Sequence, residues 1–346
     1  MKNILVLFGG CSPEYAVSLQ SAYSVLSHLD QKRYHPIPVG ITQSGDWFLY
    51  TGSWQAILDG TWQEGHCLPA LVSPSRRDHG LLFWRRNGME IIPLDGVFPV
   101  LHGKNGEDGT VQGLLELANI PVVGCGTLSS ALCMDKMRAH QLAQAAGVEI
   151  PRSLVFDRNA SEQELLAGAD SLGYPLFVKP VRAGSSFGIT KVMRADQLQS
   201  ARKNALTYDD RMILEEAIPG FEVGCAVLGN ASLTIGEVDE VELSHGFFDY
   251  TEKYSLRTSA IHVPARISQE KVDQVKAAAV TVYGALDCRG FARVDFFLTP
   301  SGKIIFNEVN TIPGFTVHSR FPKMLEAAGV SLEKVINQAV EEAVGP

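Results

Sequence analysis

At 346 residues, with 45% hydrophobic and 20% charged side chains, the chain is long for one core and is expected to form two or three domains with a cleft between them. Its formal net charge of -8 counts against nucleic acid or an anionic membrane as the main partner, since either demands a basic face. Six widely spaced cysteines, with no CxxC and no histidine at ligand spacing, imply neither a disulfide framework nor a zinc site.

The opening "MKNILVLFGG" has one short apolar run, too short to span a bilayer and without a cleavage-site pattern, so a cytoplasmic protein is expected. It reads as a strand entering a glycine turn. Helical periodicity follows over 16–29, then strands at "HPIPVGIT" and "DGVFPVLHG" and a helix at "TVQGLLELA". This alternation predicts an α/β layer with a mostly parallel sheet. Residues 50–92 read as irregular loops and small strands. A second, α+β unit begins near "IPVVGCGTLSSALCMDKMRAHQLAQAAGVEIP", where a Ser-capped helix ends at Gly147, and continues through "YPLFVKPVRAGSSFGITKV" into a helix near 195–206. From about 212 a third unit offers the strands "MILEEAI", "FEVGCAVLG" and "SLTIGEVDEVEL", a polar loop over 244–260, a helix over 269–286, a strand pair and a closing helix.

The strand pair "GFARVDFFLTPSGKIIFNEVN" carries the strongest chemical signal. A turn centred on Ser301-Gly302 sets Asp295 opposite Glu308 and Arg293 opposite Asn310, with all four side chains on one face. Two carboxylates and an amide oxygen suit a hard cation such as Mg2+, and the same pattern also fits a solvated face with a cross-strand ion pair. In "FVKPVRAGSSFGI", Lys179 ends a strand and the loop Gly184–Gly188 offers N–H groups and hydroxyls that can cover phosphates. It is not a GxxxxGK[ST] loop, and an ordinary hairpin turn accounts for the same residues. His102 sits in a glycine-bearing loop where open α/β sheets bind ligands, or else decorates a surface; Asp108 can cap the helix that follows. Glu14 lies at a strand-to-helix turn, as a ligand group or as a first-turn acid favoured by the helix dipole. The segment "SHGFFDYTEKYSLRTSAIHVP" reads as a lid or as a packed Ω-loop, with Lys253 and Tyr254 its chemically useful members.

Taken in order, "FGGCSPEYAVSLQSA", "LHGKNGEDGTVQG", "CMDKMRA", "FVKPVRAGSSFGITKV", "FDYTEKY" and "FNEVNTIPGFT" resemble the D-alanine:D-alanine ligase family of the ATP-grasp fold, across essentially the whole chain. The resemblance implies an α/β (α+β) protein of three domains, 1–123, 124–211 and 212–346, with the active site in the cleft between them. It further implies that Lys136, Lys179, Ser186 and Lys253 hold ATP phosphates, that Glu215 and Glu222 contact adenine and ribose, and that Asp295, Glu308 and Asn310 bind two Mg2+ ions, with Mn2+ as a substitute. Glu14 would meet the ammonium of the first D-alanine beside His102, and Ser185 and Tyr254 would tie the serine loop to the lid. Arg293 and the Gly314 N–H would serve the tetrahedral oxyanion, and a homodimer through the first domain is implied.

"VHSRFP" after "NTIPGFT", the pair Phe247-Phe248, and "SSFG" resemble the VanG-type D-alanine:D-serine ligases of vancomycin resistance. Arg320 stands where many housekeeping members have an apolar residue, so Phe248, Ser319 and Arg320 are expected at the second-substrate pocket. Tyr254 argues against a D-lactate acceptor, which leaves D-serine favoured over D-alanine. Two rival readings are a nucleotide-binding module without catalysis, expected to lack a metal carboxylate or Arg293, and a ligase for a different carboxylate.

Overall fold

The computed structural model describes residues 1–243 and 259–345, which form three sheets. Phe248, Lys253 and Tyr254 lie outside the described residues. The first sheet has seven strands, and Lys2–Gly9, an apolar run buried along most of its length, is flanked in parallel by Tyr34–Ile41 and Gly96–Val100. Tyr34–Ile41 lies on one side of Lys2–Gly9 and Gly96–Val100 on the other, and because all three run parallel, the loops after Gly9 and after Val100 open at the same carboxyl edge. Ser18 of helix Tyr15–His28 fastens that edge, accepting from the Gly9 N–H at 2.8 Å and donating to the Val100 carbonyl.

The expected mostly parallel sheet holds only for this half. Residues 50–92, read as irregular loops and small strands, supply the short strands Cys67–Val72, Gly80–Arg85 and Gly88–Pro93, which the sequence alone does not place in the sheet and which extend it as an antiparallel meander beyond Trp47–Tyr50. Their alternation is short and interrupted by polar turns, which hides it from a periodicity count.

The second sheet is antiparallel, in the order Thr190–Val192, Leu176–Pro180, Arg211–Glu216 and Ser153–Asp157. Strand Arg211–Glu216 therefore pairs with the second unit, whereas the sequence reading opened the third unit on it. The helical segment before Gly147 is also two helices. Asp135 breaks the run and caps Lys136–Ala145 by accepting from the Arg138 N–H at 3.1 Å, which puts Lys136 at a helix start.

The third sheet is again antiparallel, ordered Ser259–His262, Asp239–Leu243, Phe221–Leu228, Phe291–Leu298, Ile304–Asn310, with Thr234–Ile235 pairing beside Phe221–Leu228. Its closing hairpin reaches the expected register by two departures that cancel. A three-residue loop, with Gly302 at φ 81, pairs Leu298 with Ile304, and an irregularity beyond Asp295 then inserts Asn307. Asp295 faces Glu308 and Arg293 faces Asn310. The inserted residue is gripped from the second unit, where His140 Nε2 meets the Asn307 carbonyl at 2.9 Å.

First and third units share one core. Phe98 of the first sheet, Phe291 of the third, and Phe315 and Phe321 beyond it are fully buried, with Phe315 ring centroids 5.4 Å from Phe98 and 5.0 Å from Phe291 in edge-on geometry. Helix Leu332–Val344 adds Val335, Ile336, Ala339 and Val340 to the same cluster as Ile4 and Val6. Phe315→Ala is expected to cost about 3–5 kcal/mol in chemical denaturation, because the ring links two sheets and its cavity has rigid walls. A loss under about 1 kcal/mol would show that the aromatic cluster does not join them.

Candidate active site

Where the three sheets meet lies a cavity of about 610 Å3, walled by residues from all three units. Glu14, His102, Lys136, Ser185, Arg293, Glu308, Asn310, Gly314, Ser319 and Arg320 line it together, although they are spread over more than 300 positions of the chain.

From the first sheet come the two loops at its carboxyl edge. Glu14 is buried, and a Cβ built on Gly184 would lie 3.8 Å from its Oε2, which measures how near the serine loop comes to it. His102 is also buried, with Nδ1 at 2.9 Å from the Ile312 carbonyl and Nε2 at 3.5 Å from Ser21 Oγ. Asp108 does not cap its helix from the first flanking position. It accepts from Thr110 N at 3.0 Å and from Asn105 N at 2.8 Å, tying the loop to the helix start.

From the second unit, Lys136 Nζ donates to the Ala183 carbonyl at 2.5 Å. Lys179 and Glu215, on adjacent strands, form a buried pair at 2.5 Å. Burial pushes the Glu215 carboxyl up, and Lys179, His140 and Lys136 together outweigh it, holding the group below its ordinary value. Its second oxygen, Oε2, is buried with no hydrogen-bond partner among the described residues, an acceptor suited to an exocyclic amine such as that of adenine. Ser185 and Ser186 hold left-handed backbone, φ 50 and 61, in the loop that faces Glu14; Ser185 reaches the cavity wall and Ser186 is not part of it.

The third sheet supplies the densest charge. Arg293 donates to Asp295 through Nε at 2.9 Å and Nη2 at 2.7 Å, and Asn310 Nδ2 donates to Asp295 at 2.9 Å. Arg320, 6% exposed, opens helix Arg320–Ala327 and reaches back over the sheet. It meets Asp239 at 2.6 and 2.8 Å, Glu222 at 2.5 Å and Asp295 at 3.3 Å. Three of the five guanidinium N–H groups thus donate to carboxylates, and Nη2 also forms an ion pair with Asp295. Glu222, expected beside a ribose, is held in this network. Among the described residues, two guanidiniums, Arg293 and Arg320, stand beside four carboxylates, Glu222, Asp239, Asp295 and Glu308, a formal excess of two negative charges within that set.

That excess and the oxygen chemistry fit a hard divalent cation at Asp295, Glu308 and Asn310, once the Asn310 amide turns its oxygen outward. No group of three His, Cys, Asp or Glu side chains in metal-binding geometry occurs among the described residues, so two carboxylates and an amide are what the protein offers. Also among the described residues, no helix is long and apolar enough to cross a membrane.

Sequence reasoning passed over two residues. Asp239, fully buried, anchors Arg320, and its signal was Gly224 in the middle of "FEVGCAVLG". A Cβ there would stand 2.6 Å from Arg320 Nη2, 2.7 Å from Asp295 Oδ1 and 2.8 Å from Asp239 Oδ1, so only glycine leaves room for the guanidinium. Glu107 is the other: it lines the cavity wall, and burial, with Glu14 nearby, pushes its carboxyl up to about 8 against two backbone N–H bonds.

A cleft between three units that gathers two lysines, a serine loop and an acidic hairpin has the groups a ligase would use, and the comparisons with known proteins give that class. Residues 3–125 match the family model "D-ala D-ala ligase N-terminus" and residues 142–341 match "D-ala D-ala ligase C-terminus". The structure of VanG D-Ala:D-Ser ligase from Enterococcus faecalis superposes with a TM-score of 0.92 at 54% identity, covering 99% of each chain. A Streptomyces coelicolor protein provisionally named a D-alanine:D-lactate ligase is 46% identical over 98% of this chain and 96% of its own. A D-alanine:D-alanine ligase of Caldicellulosiruptor bescii is 42% identical over 99% of this chain and 95% of its own. The chain belongs to the D-alanine:D-alanine ligase family, whose members are ATP-dependent, use divalent metal and act on small amino or hydroxy acids.

Burial pushes the imidazoles of His102 and His140 below their ordinary value of 6.5, outweighing Glu14 for the first and Glu215 for the second. Below 6.5 each of these two sites therefore binds more protons in the unfolded chain than in the fold. The stability that goes with neutral imidazoles is present above that value and is lost as pH falls through it. The Glu107 carboxyl, raised to about 8, works the other way in both proteins, so the expected sign is in the difference: between about pH 7 and about pH 5.5 the urea midpoint falls more, or rises less, in the parent than in His102→Asn. Identical slopes for the two proteins would contradict a neutral, buried His102.

Proposed function

We propose that the protein joins D-alanine to D-serine at the expense of ATP, forming ADP, phosphate and D-alanyl-D-serine, as a ligase of the vancomycin-resistance type. The observation that carries the reaction is the convergence of Glu14, Arg293, Glu308 and Gly314 on one cavity, with Lys136 at its wall. Glu14 holds the ammonium of the first D-alanine, leaving its carboxylate toward the hairpin. An oxygen of that carboxylate attacks the terminal phosphorus of ATP; the bond to the bridging oxygen breaks, ADP leaves, and an acyl phosphate remains.

Positioning and charge neutralisation drive this step, and Lys136 and Lys179 supply cations that the acidic chain lacks elsewhere. A divalent cation, proposed as Mg2+ at Asp295, Glu308 and Asn310, neutralises phosphate charge when bound. The amine of the second amino acid, having lost a proton, then attacks the acyl carbon. Arg293 and the Gly314 N–H stabilise the oxyanion until phosphate departs and the amide forms. Ser185, on the loop that faces Glu14, keeps water from the acyl phosphate, the part expected of Tyr254 as well, while Lys253 is expected on the ATP phosphates.

Support for D-serine comes from the wall beyond Gly314. Arg320 brings charge to that wall, and Asp239 and Glu222 fix its plane, so the acceptor meets a rigid polar surface in place of an apolar one. A site built around a hydroxyl rejects its absence more strongly than an apolar pocket rejects its presence. The likeness to the VanG D-Ala:D-Ser ligase favours the same acceptor. D-Alanine is the second reading, favoured by the similarity to the Caldicellulosiruptor enzyme. With equal D-alanine and D-serine and limiting ATP, D-alanyl-D-serine is expected to exceed D-alanyl-D-alanine by about tenfold, the discrimination of a modest hydroxyl contact. Equal amounts, or a dialanine excess, would return the protein to the housekeeping reading.

A further inference from the structure

The turn that carries Gly314 belongs to the third unit, yet it is held by three side chains of the first. Glu107 Oε1 accepts from the Ile312 N–H at 3.2 Å, and His102 Nδ1 is bonded to the Ile312 carbonyl at 2.9 Å. Ser21 Oγ accepts from the Phe315 N–H at 3.3 Å and lies 3.5 Å from His102 Nε2. Both polar groups of Ile312, and the N–H of Phe315, are thereby engaged across the interface. Pro313 has no N–H and a fixed φ, so once Ile312 is placed little freedom remains before Gly314. The Gly314 N–H is the donor in this turn that these three side chains leave ungripped.

Glu107 is the member that spans. Its second oxygen, Oε2, accepts from the Gly103 N–H at 2.7 Å, so a single carboxyl group bridges the loop beside the first-substrate residues Glu14 and His102 and the turn beside the acceptor. Its own loop is braced in turn: Glu107 N donates to the Gly103 carbonyl at 2.8 Å, and Gln112 Nε2 donates to the Gly106 carbonyl at 2.7 Å.

We propose that Glu107 is a positioning residue for the second half-reaction, a two-pronged clamp that sets the Gly314 N–H against the acyl oxygen that becomes the oxyanion, by holding Ile312 to the Gly103 loop. The inference rests on the acyl-phosphate reading above and adds to it a residue that touches neither nucleotide nor metal in that scheme. With the clamp loosened, activation of the first carboxylate goes on, but the acyl phosphate waits longer for a well-placed oxyanion site. Water then competes: its oxygen attacks the acyl carbon, phosphate leaves, and D-alanine is returned with one ATP spent and ADP already released.

Glu107→Gln tests this, because an amide has one acceptor oxygen for two N–H donors. ADP and dipeptide are measured in parallel with saturating D-alanine and D-serine, alongside the KM for ATP. The expected result is dipeptide kcat lowered about tenfold, ADP released in clear excess over dipeptide, and an ATP KM within about twofold of the parent. ADP and dipeptide in equal amounts at near-parent kcat would overturn the proposal. So would an ATP KM that rises in step with falling kcat, the mark of a general structural role. Glu107→Asp, one methylene short of spanning both donors, is expected to show the same uncoupling, and it replaces Glu107→Gln if that variant does not fold. Failure of both to fold makes the residue merely structural and refutes the assignment. A parent protein that forms no dipeptide at all is a different failure: the acyl-phosphate reading falls, and the clamp with it.

Discussion

Asp295 stands at the centre of the molecule, 1% exposed, with Arg293, Arg320 and Asn310 converging on it. A carboxylate so far from water is tolerable only if its oxygens are satisfied by charged donors, and removing one member of such a buried set costs on the order of 3–5 kcal/mol. The rest of the site follows from meeting that demand. Arg293 shares a strand with Asp295, two residues away on the same face, and Asn310 faces Arg293 across the hairpin. Arg320 must come from elsewhere, so the chain turns through Pro313-Gly314 and starts a helix that delivers the guanidinium over Gly224.

This arrangement also explains how an acidic protein manages an anionic substrate. The cations are gathered where the three sheets meet: Lys136 and Lys179 on the second unit, Arg293 and Arg320 on the third. Each is held by a carboxylate or a carbonyl in this structure, so the lysines proposed to meet nucleotide are already positioned before it binds. The aromatic cluster of Phe98, Phe291, Phe315 and Phe321 keeps the first and third units in register while this happens.

Much of this was legible in the sequence because local rules and the global fold agree. The hairpin face could be read from the period of two, and the parallel half of the first sheet from its alternation with helices. The register came out right at Asp295 and Glu308 through two opposite errors, since neither the three-residue loop nor the insertion at Asn307 has a local signature. What holds that insertion is His140, more than 160 positions away in sequence. Arg320 was recognised as unusual, but its partners were not, because Asp239 and Glu222 sit on strands whose pairing no short window reveals. Glu107 was hidden for the same reason: its role depends on Ile312, 205 residues later. The signals that could have found them were a glycine in mid-strand and an acid among loop glycines.

The account stands on one chemical claim, that ATP activates the carboxylate of the first amino acid before the amine attacks. Isotope transfer tests it most directly. With D-alanine labelled by 18O in its carboxylate, the account predicts one labelled oxygen in each inorganic phosphate released, since the oxygen that attacks phosphorus departs with it. Unlabelled phosphate alongside dipeptide formation would contradict the claim.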